Sequence, residues 1–154
     1  YFLRFTTSWG WATWKSAWSK FKKDPEELLR EVSKAEIKRF NFDGNENFWR
    51  QVLLNKRGAL NTWAVFWYAT VFRENGLTLF PKKSLVKNIG HDGSGTNCGV
   101  SSRFDVDLLP SAVLLEQLPV RESLYARRSL ERFFRNSKPS ILIRIFRFLQ
   151  RKLK

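Results

Sequence analysis

The tryptophans near the start of the chain are spaced as on one face of a helix. Residues 5–18 hold four of the seven tryptophans. Of these, Trp11, Trp14 and Trp18 occur at positions i, i+3 and i+7. Trp9 and Trp11 flank Gly10, a pattern typical of a loop or strand end where another backbone approaches closely. We therefore predict a short loop followed by a helix that carries the tryptophan stripe.

A second helix is predicted to begin at Asp24. Asp24 suits the N-cap, Pro25 the first helical position, and Glu27 the position that would complete a capping box. The apolar positions of this helix are Leu28, Leu29, Val32 and Ala35. Since charged residues occupy the other side, the pattern indicates a helix with one buried face.

Two more helices are predicted in the middle of the chain. Residues 40–44 form a turn-like break, and a short helix follows at residues 47–55. Asn61 or Thr62 is a suitable cap for the next helix, which is apolar almost all round and should therefore be buried on several sides. Gly76 is well placed to be the left-handed residue after its end.

Two apolar runs and a glycine-rich loop come next. Residues 77–80 and 85–89 have the length and composition of strands. Residues 90–97, Gly-His-Asp-Gly-Ser-Gly-Thr-Asn, combine three glycines with five polar side chains. Successive N–H groups of such a loop can form an anion-binding concavity, and a loop after a strand is where α/β sheets place their sites. The same composition is also typical of an ordinary surface turn.

The C-terminal part of the chain is strongly basic. Residues 106–119 are ambiguous between strand and helix, whereas residues 121–135 are predicted to be helical. Within residues 140–154 one helical face carries cations, namely Arg144, Arg147, Arg151 and Lys154. The opposite face is apolar, with Ile141, Leu142, Ile145, Phe146, Leu149 and Leu153. This amphipathic pattern suits an anionic membrane surface, or a helix docked on its own domain. Nucleic acid is a weaker alternative because no aromatic platform or known motif accompanies the charge.

Composition narrows the class of protein. The net charge is +14, but residues 127–154 hold ten Lys and Arg against the single Glu131, so the basicity belongs mainly to the tail. Cys98 is the only cysteine, which excludes an internal disulfide and a multi-cysteine zinc site. No apolar run approaches the length needed to span a bilayer. The chain contains no methionine and begins Tyr-Phe-Leu-Arg, so we expect a fragment or processed piece.

Three blocks of sequence resemble a known family. They are SWGWATWKSAW at residues 8–18, NTWAVFWYATVFRENGLTLFP at residues 61–81, and SLVKNIGHDGSGTN at residues 84–97. In this order they resemble the C-terminal half of bacterial family-2-like glycosyltransferases, the nucleotide-diphospho-sugar transferases of surface-polysaccharide synthesis. After residue 97 the chain carries none of the family's pattern.

The resemblance implies an α/β fold. It would be the C-terminal part of a type-A glycosyltransferase fold, a mixed sheet flanked by helices, incomplete without an N-terminal nucleotide-binding half. Residues 1–119 would form the acceptor-side part and residues 120–154 a basic helical tail. In this family an Asp-x-Asp metal motif lies in the N-terminal half. Asp105 and Asp107 match its letters but follow the acceptor-side blocks, so we treat the match as coincidence.

The resemblance also implies which residues form the site. Those expected against the sugar are Trp9, Gly10, Trp11, Trp14, Trp63 and Trp67. For Trp14 and Trp18 a place in the hydrophobic core is the favoured alternative, whereas Trp9 and Trp11, which flank Gly10, are the better candidates for sugar contact. Those expected against the donor diphosphate are Gly90, His91, Gly93, Ser94, Gly95, Thr96 and Asn97. Asp92 is the catalytic candidate, and His91 the candidate ligand for a divalent metal, Mn²⁺ or Mg²⁺, in the complete enzyme.

Two positions depart from the family pattern. Relatives often carry His where this chain has Asn97, and some carry a Trp-Asp pair where it has Trp63 and Ala64. Because Ala64 cannot act as a base, either the base lies elsewhere, with Asp92, Asp43 or Glu46 as candidates, or this branch carries out the reaction differently.

The implied activity is transfer of a hexose from a nucleotide-sugar to a glycan or lipid-linked acceptor, as in lipopolysaccharide synthesis. Such an enzyme works in the cytoplasm as a peripheral protein on the inner face of the plasma membrane, and the isolated fragment should be inactive. A non-catalytic membrane- or carbohydrate-binding module with a degenerate transferase fold is the alternative.

Overall fold

The computed structural model describes residues 1–95, 100–113 and 116–137, and within these ranges the chain is rich in helices. The helices are α1 (Lys15–Trp18), α2 (Pro25–Glu31), α3 (Lys34–Phe40), α4 (Trp49–Lys56), α5 (Ala64–Arg73) and α6 (Leu124–Asn136). The strands are β1 (Phe2–Leu3) and β2 (Thr78–Leu79), and a 3₁₀ turn covers Ile89–Asp92.

The sheet is small. β1 and β2 pair antiparallel, with Phe2 opposite Leu79 and Leu3 opposite Thr78. An isolated parallel bridge joins Phe2 to Glu122. The described chain is thus mixed and helix-rich with a two-stranded sheet, which is compatible with the expected α/β class. A mixed sheet flanked by helices is not seen in the described ranges.

The two predicted strands have different outcomes. The first run is confirmed in part, since β2 lies within residues 77–80. The second prediction is wrong: residues 85–89 form no strand, and Ile89 already begins the 3₁₀ turn. The local reason is a side-chain turn, in which the Ser84 hydroxyl donates to the Val86 carbonyl at 2.6 Å. Such a bond competes with the backbone pairing that a strand requires.

The predicted second helix is divided into two. Asp24 caps α2 as expected, its Oδ1 accepting from the Glu27 N–H at 2.9 Å. The Glu27 side chain does not complete the box, because it pairs with Lys22 and Arg73 instead. A reciprocal capping box occurs at the next helix, where Ser33 and Glu36 exchange bonds and α3 begins.

The turn after α3 and the ends of α5 are decided by backbone geometry. Residues Phe42 and Asp43 have φ of 51° and 54°, which confirms the predicted break. The capping prediction for α5 is wrong, because Thr62 bonds to Asn55 and no side chain caps the helix. The left-handed residue after α5 is Asn75, with φ of 52°, one position before the predicted Gly76.

α5 lies at the centre of the core, as its apolar composition predicts. Its buried residues are Val65, Phe66, Trp67, Tyr68 and Ala69. The Tyr68 hydroxyl is satisfied by donating to the Phe40 carbonyl at 2.9 Å. Phe134 of α6 joins the same core against Phe42, with ring centroids 5.1 Å apart. The predicted tail helix at residues 140–154 lies outside the described residues, so the division of the chain at residue 120 stays a prediction.

Candidate functional site

The tryptophan block does not form the predicted helical stripe. α1 begins only at Lys15, and Trp14 is its N-cap in an extended conformation, so only Trp18 of the three lies in the helix. Trp14 is left 82% exposed. Burial of this indole against a ligand would gain free energy, since large apolar side chains are stabilised by removal from water.

Tertiary packing nevertheless brings most of the expected sugar-binding tryptophans together. The Trp11 ring lies 5.2 Å from that of Trp63 and 5.7 Å from that of Trp67, between centroids. Trp63 and Trp67 are four residues apart and so lie on the same side of α5. Trp18 completes the cluster at 5.5 Å from Trp11. Residues from the first and second sequence blocks therefore build one aromatic wall.

A groove of about 670 Å³ opens beside this wall. Trp11, Trp14 and Trp67 line it on the aromatic side. Its polar lining comes from Thr6, Thr7, Thr13, Ser16, Lys20, Thr70, Glu74 and Thr78. Lys20 and Glu74 form an ion pair across it. A groove lined by indole rings together with hydroxyl and charged groups is suited to a ring that is apolar on its faces and hydroxylated at its edge.

The start of the aromatic block also contacts the glycine loop. The Trp9 ring centroid lies 5.5 Å from that of His91 and 5.5 Å from that of Phe104, both edge-on. Gly10 has φ of 56°, and a β-carbon placed on it would lie 3.2 Å from Val86 Cβ and closer still to Val86 Cγ1. A side chain at residue 10 would therefore push the two segments apart. The structure gives Gly10 a packing role, and whether it also touches a sugar stays a prediction.

The glycine loop folds on itself. The Gly95 N–H donates to the Gly90 carbonyl at 3.2 Å, and the Gly90 N–H to Asn88 Oδ1 at 2.9 Å. A β-carbon on Gly95 would lie 2.5 Å from the Gly90 oxygen, so this approach requires glycine. Gly93 has φ of 103° and turns the chain between them. The expected diphosphate contacts Thr96 and Asn97 lie outside the described residues.

Asp92 is held as a carboxylate by its own turn. Its Oδ1 accepts from the Ser94 N–H at 2.8 Å. Hydrogen bonds from the Ser94 hydroxyl and N–H hold the pKa of Asp92 below its usual range, although the side chain is exposed. A carboxylate with a lowered pKa has little affinity for a proton, so the described geometry suits Asp92 to orienting a group better than to general base catalysis.

We expect Ser94→Ala to raise the pKa of Asp92 toward its ordinary value. The substitution removes the hydroxyl donor, which is the largest cause of the shift, and leaves the backbone donor. A carboxyl ¹³C NMR titration of Asp92 measures the effect directly. The low pKa contributes stability above the unfolded-state pKa, and this contribution is lost as pH falls through the folded-state pKa. Ser129→Ala, at an exposed position on α6, is the control; equal midpoints in both variants would contradict the hydroxyl's role.

The other two candidate bases are occupied by arginines. Glu46 Oε2 lies 2.9 Å from Arg103 Nη2, and Asp43 Oδ2 lies 3.2 Å from Arg127 Nη2. The ring of His91, the candidate metal ligand, packs against Trp9 and Phe104. Within the described ranges, no group of three His, Cys, Asp or Glu side chains is placed to hold a metal ion.

Sequence reasoning missed Arg103 and Phe104. The Arg103 guanidinium lies over the Phe104 ring at 5.0 Å and over the Phe133 ring at 5.6 Å, while it pairs with Glu46. Phe104 of this cluster contacts the rings of both Trp9 and His91. No sequence pattern predicts this cluster, because Arg103 and Glu46 lie far apart in the chain and in different segments.

Comparison with protein-family models, with curated proteins and with solved structures finds no match to this chain. None of the helices described here combines the length and apolar character required to cross a membrane.

Proposed function

We propose that this chain is the acceptor-side part of a nucleotide-sugar-dependent glycosyltransferase with a type-A fold. The observation that carries the proposal is the junction at Trp9, Gly10 and Trp11. Trp9 contacts the glycine loop at His91, and Trp11 contacts the α5 tryptophans, so one short segment links all three family-like blocks. The sequence resemblance identifies the three blocks. A site shared by them requires that they contact one another, and these contacts support the proposal.

In a sugar transfer, the groove would bind the acceptor and the glycine loop would bind the donor. The acceptor sugar would lie on the indoles of Trp11 and Trp14, with its hydroxyls toward the Lys20–Glu74 pair. The donor diphosphate would approach the glycine loop, where backbone without side chains allows close contact. In the reaction the acceptor oxygen bonds to the anomeric carbon as the bond to the diphosphate breaks. The acceptor hydroxyl proton then passes to a base that the described residues do not identify.

The described residues do not form a binding site for the divalent metal expected in the complete enzyme. His91 is packed between aromatic rings and Asp92 is bonded to Ser94. The described residues therefore do not assemble a metal site, and we assign no step to a metal. In the family, the nucleotide-binding half supplies the metal motif.

Trp14→Ala is the sharpest test of the groove. Because Trp14 is 82% exposed, its removal should leave the fold intact. Loss of its contact with a sugar face should raise the acceptor KM about tenfold, with a smaller change in kcat. The assay is transfer to a soluble acceptor by the protein encoded by the full reading frame, with a panel of nucleotide-sugars and Mn²⁺ or Mg²⁺.

Tyr125→Ala is the matched control, because Tyr125 is equally exposed at 84% but lies on α6, away from the groove. An acceptor KM that changes equally in both variants would remove the groove from the proposal. Absence of turnover with every donor would reject the enzyme itself.

The alternative is a non-catalytic carbohydrate- or membrane-binding module with a degenerate transferase fold. Ala64 favours it, because α5 begins there without the carboxylate that some relatives carry. This reading predicts that oligosaccharides change the tryptophan fluorescence of the chain, and that Trp14→Ala abolishes the change. No nucleotide-sugar would be consumed in that case.

We also propose that the protein acts in the cytoplasm as a peripheral protein on the inner face of the plasma membrane, where lipid-linked acceptors are available. The amphipathic pattern of residues 140–154 supports this, although those residues lie outside the described ranges. A basic nucleic-acid binder is a weaker proposal.

A further inference from the structure

α6 has one face in the core and the opposite face in solvent. Ala126 and Phe134, eight residues apart, are buried. Tyr125, Arg128 and Arg132 are spaced i, i+3 and i+7, which places them together on the opposite side of the helix. All three are exposed, and Tyr125 is 84% exposed. The outward face of α6 is therefore a cationic stripe with an aromatic residue at its start.

The cations of this stripe are available to a partner. In the described part of the chain, no salt bridge involves Arg121, Arg128 or Arg132. The carboxylates near α6 bind Arg127 instead, on the inner side. These carboxylates are Asp43, Glu122 and Glu131. Of these, Asp43 lies in the turn after α3 and joins α6 to the rest of the fold, whereas Glu131 lies on α6 itself, four residues after Arg127. The outward face of α6 keeps an uncompensated positive charge.

Apolar side chains are exposed at the same end of the helix. Val120 is 77% exposed and Leu124 is 64% exposed, on either side of Arg121. Beside them lies an open groove of about 530 Å³ formed by Tyr1, Leu118, Pro119 and Leu124, among others. Neighbouring apolar side chains exposed to this extent usually mark an interaction surface.

We propose that this outward face, formed by Val120, Arg121, Leu124, Tyr125, Arg128 and Arg132, binds the surface of an anionic lipid bilayer. Arginine guanidinium groups bind phosphate oxygens in a fixed, two-pronged geometry. Tyrosine is favoured at the depth of lipid headgroups, and exposed aliphatic side chains gain by immersion in the interface. A nucleic acid would use the charge but would leave Val120 and Leu124 without a partner.

This surface is separate from the amphipathic segment at residues 140–154, and its proposal does not depend on sugar chemistry. It would set the orientation of the protein on the membrane, because α6 is fixed to the core through the buried Phe134 and through the pairing of Arg127 with Asp43. A tail alone would tether the protein without orienting it.

Vesicle binding of the full chain tests the proposal. We would compare flotation with vesicles of phosphatidylglycerol and phosphatidylcholine in equal parts for the wild type and for Arg128→Gln/Arg132→Gln. Two juxtamembrane cations lost should weaken binding about thirtyfold at low salt. The matched control is Arg50→Gln/Arg57→Gln, which removes the same charge from exposed positions on and after α4. Equal weakening in both double variants would overturn the proposal, because it would show binding by net charge alone.

A second variant separates a bilayer from other anionic partners. Leu124→Ser/Tyr125→Ser keeps every charge but removes the apolar contacts, and should weaken vesicle binding by several-fold. Binding of a single-stranded oligonucleotide should be unaffected by this variant. Vesicle binding of the serine variant equal to that of the wild type would show that the surface does not bind a membrane. The same conclusion would follow if the arginine variant lost oligonucleotide binding but kept vesicle binding. Circular dichroism of each variant should match the wild type, since all six substituted positions are exposed.

Discussion

Phe66→Ala should lower the free energy of unfolding by about 3–5 kcal/mol, the largest effect that we expect from a single substitution in this chain. Phe66 is fully buried at 0% exposure in the middle of α5, within the core cluster that also holds Phe40 and Val52. Removing its ring leaves a cavity in a close-packed core, which relaxes only in part to fill it. The loss is therefore the transfer free energy of the ring plus the cost of the cavity.

Urea denaturation followed by circular dichroism measures this effect. The midpoint should fall while the slope stays the same, because the surface exposed on unfolding hardly changes. Tyr125→Ala is the control at an 84% exposed aromatic position and should shift the free energy by less than about 0.5 kcal/mol. A Phe66 variant that unfolds at the wild-type midpoint would mean that α5 is not the centre of the core.

Gly10→Ala should separate the tryptophan block from the glycine loop, and we expect the second largest effect here. The left-handed backbone at Gly10 costs about 1–2 kcal/mol for a residue with a β-carbon. Overlap with the Val86 side chain adds about 1–3 kcal/mol of overpacking. Relief of this overlap would move Trp9 away from His91. In the proposed enzyme, transfer activity should then fall with stability.

Two further variants divide the effect into its parts. Gly58→Ala has the same kind of backbone, with φ of 68°, but nothing lies within 4 Å of a β-carbon there, so it reports the backbone cost alone. Val86→Ala combined with Gly10→Ala removes the methyl groups that collide. We expect the double variant to recover most of the stability lost beyond the Gly58→Ala value. No recovery would show that the contact between residues 10 and 86 does not hold the site together.

Sequence patterns predicted correctly those features that depend on residues close together in the chain. The Asp24 cap, the break before residue 44 and the burial of α5 follow from capping chemistry, turn chemistry and hydrophobic pattern within a few residues. The same kind of signal failed for Trp11, Trp14 and Trp18. Their helical spacing predicted a stripe, but Trp11 instead packs against Trp67 of α5, and the helix begins only at Lys15. A contact with a distant helix outweighed a weak local preference.

By itself, the sequence determined which residues are candidates for the site, the Asp24 cap at the start of α2, and the concentration of charge at the C-terminal end. The glycines at residue 10 and within residues 90–97 also indicated where the backbone is approached closely, but the sequence did not show which atoms approach it. Only the tertiary structure decided that Gly10 faces Val86, that Arg127 pairs with Asp43, and that Arg128 and Arg132 face solvent. Caps and turns depend on neighbours within four residues, whereas these pairings depend on how separate segments meet in the folded chain.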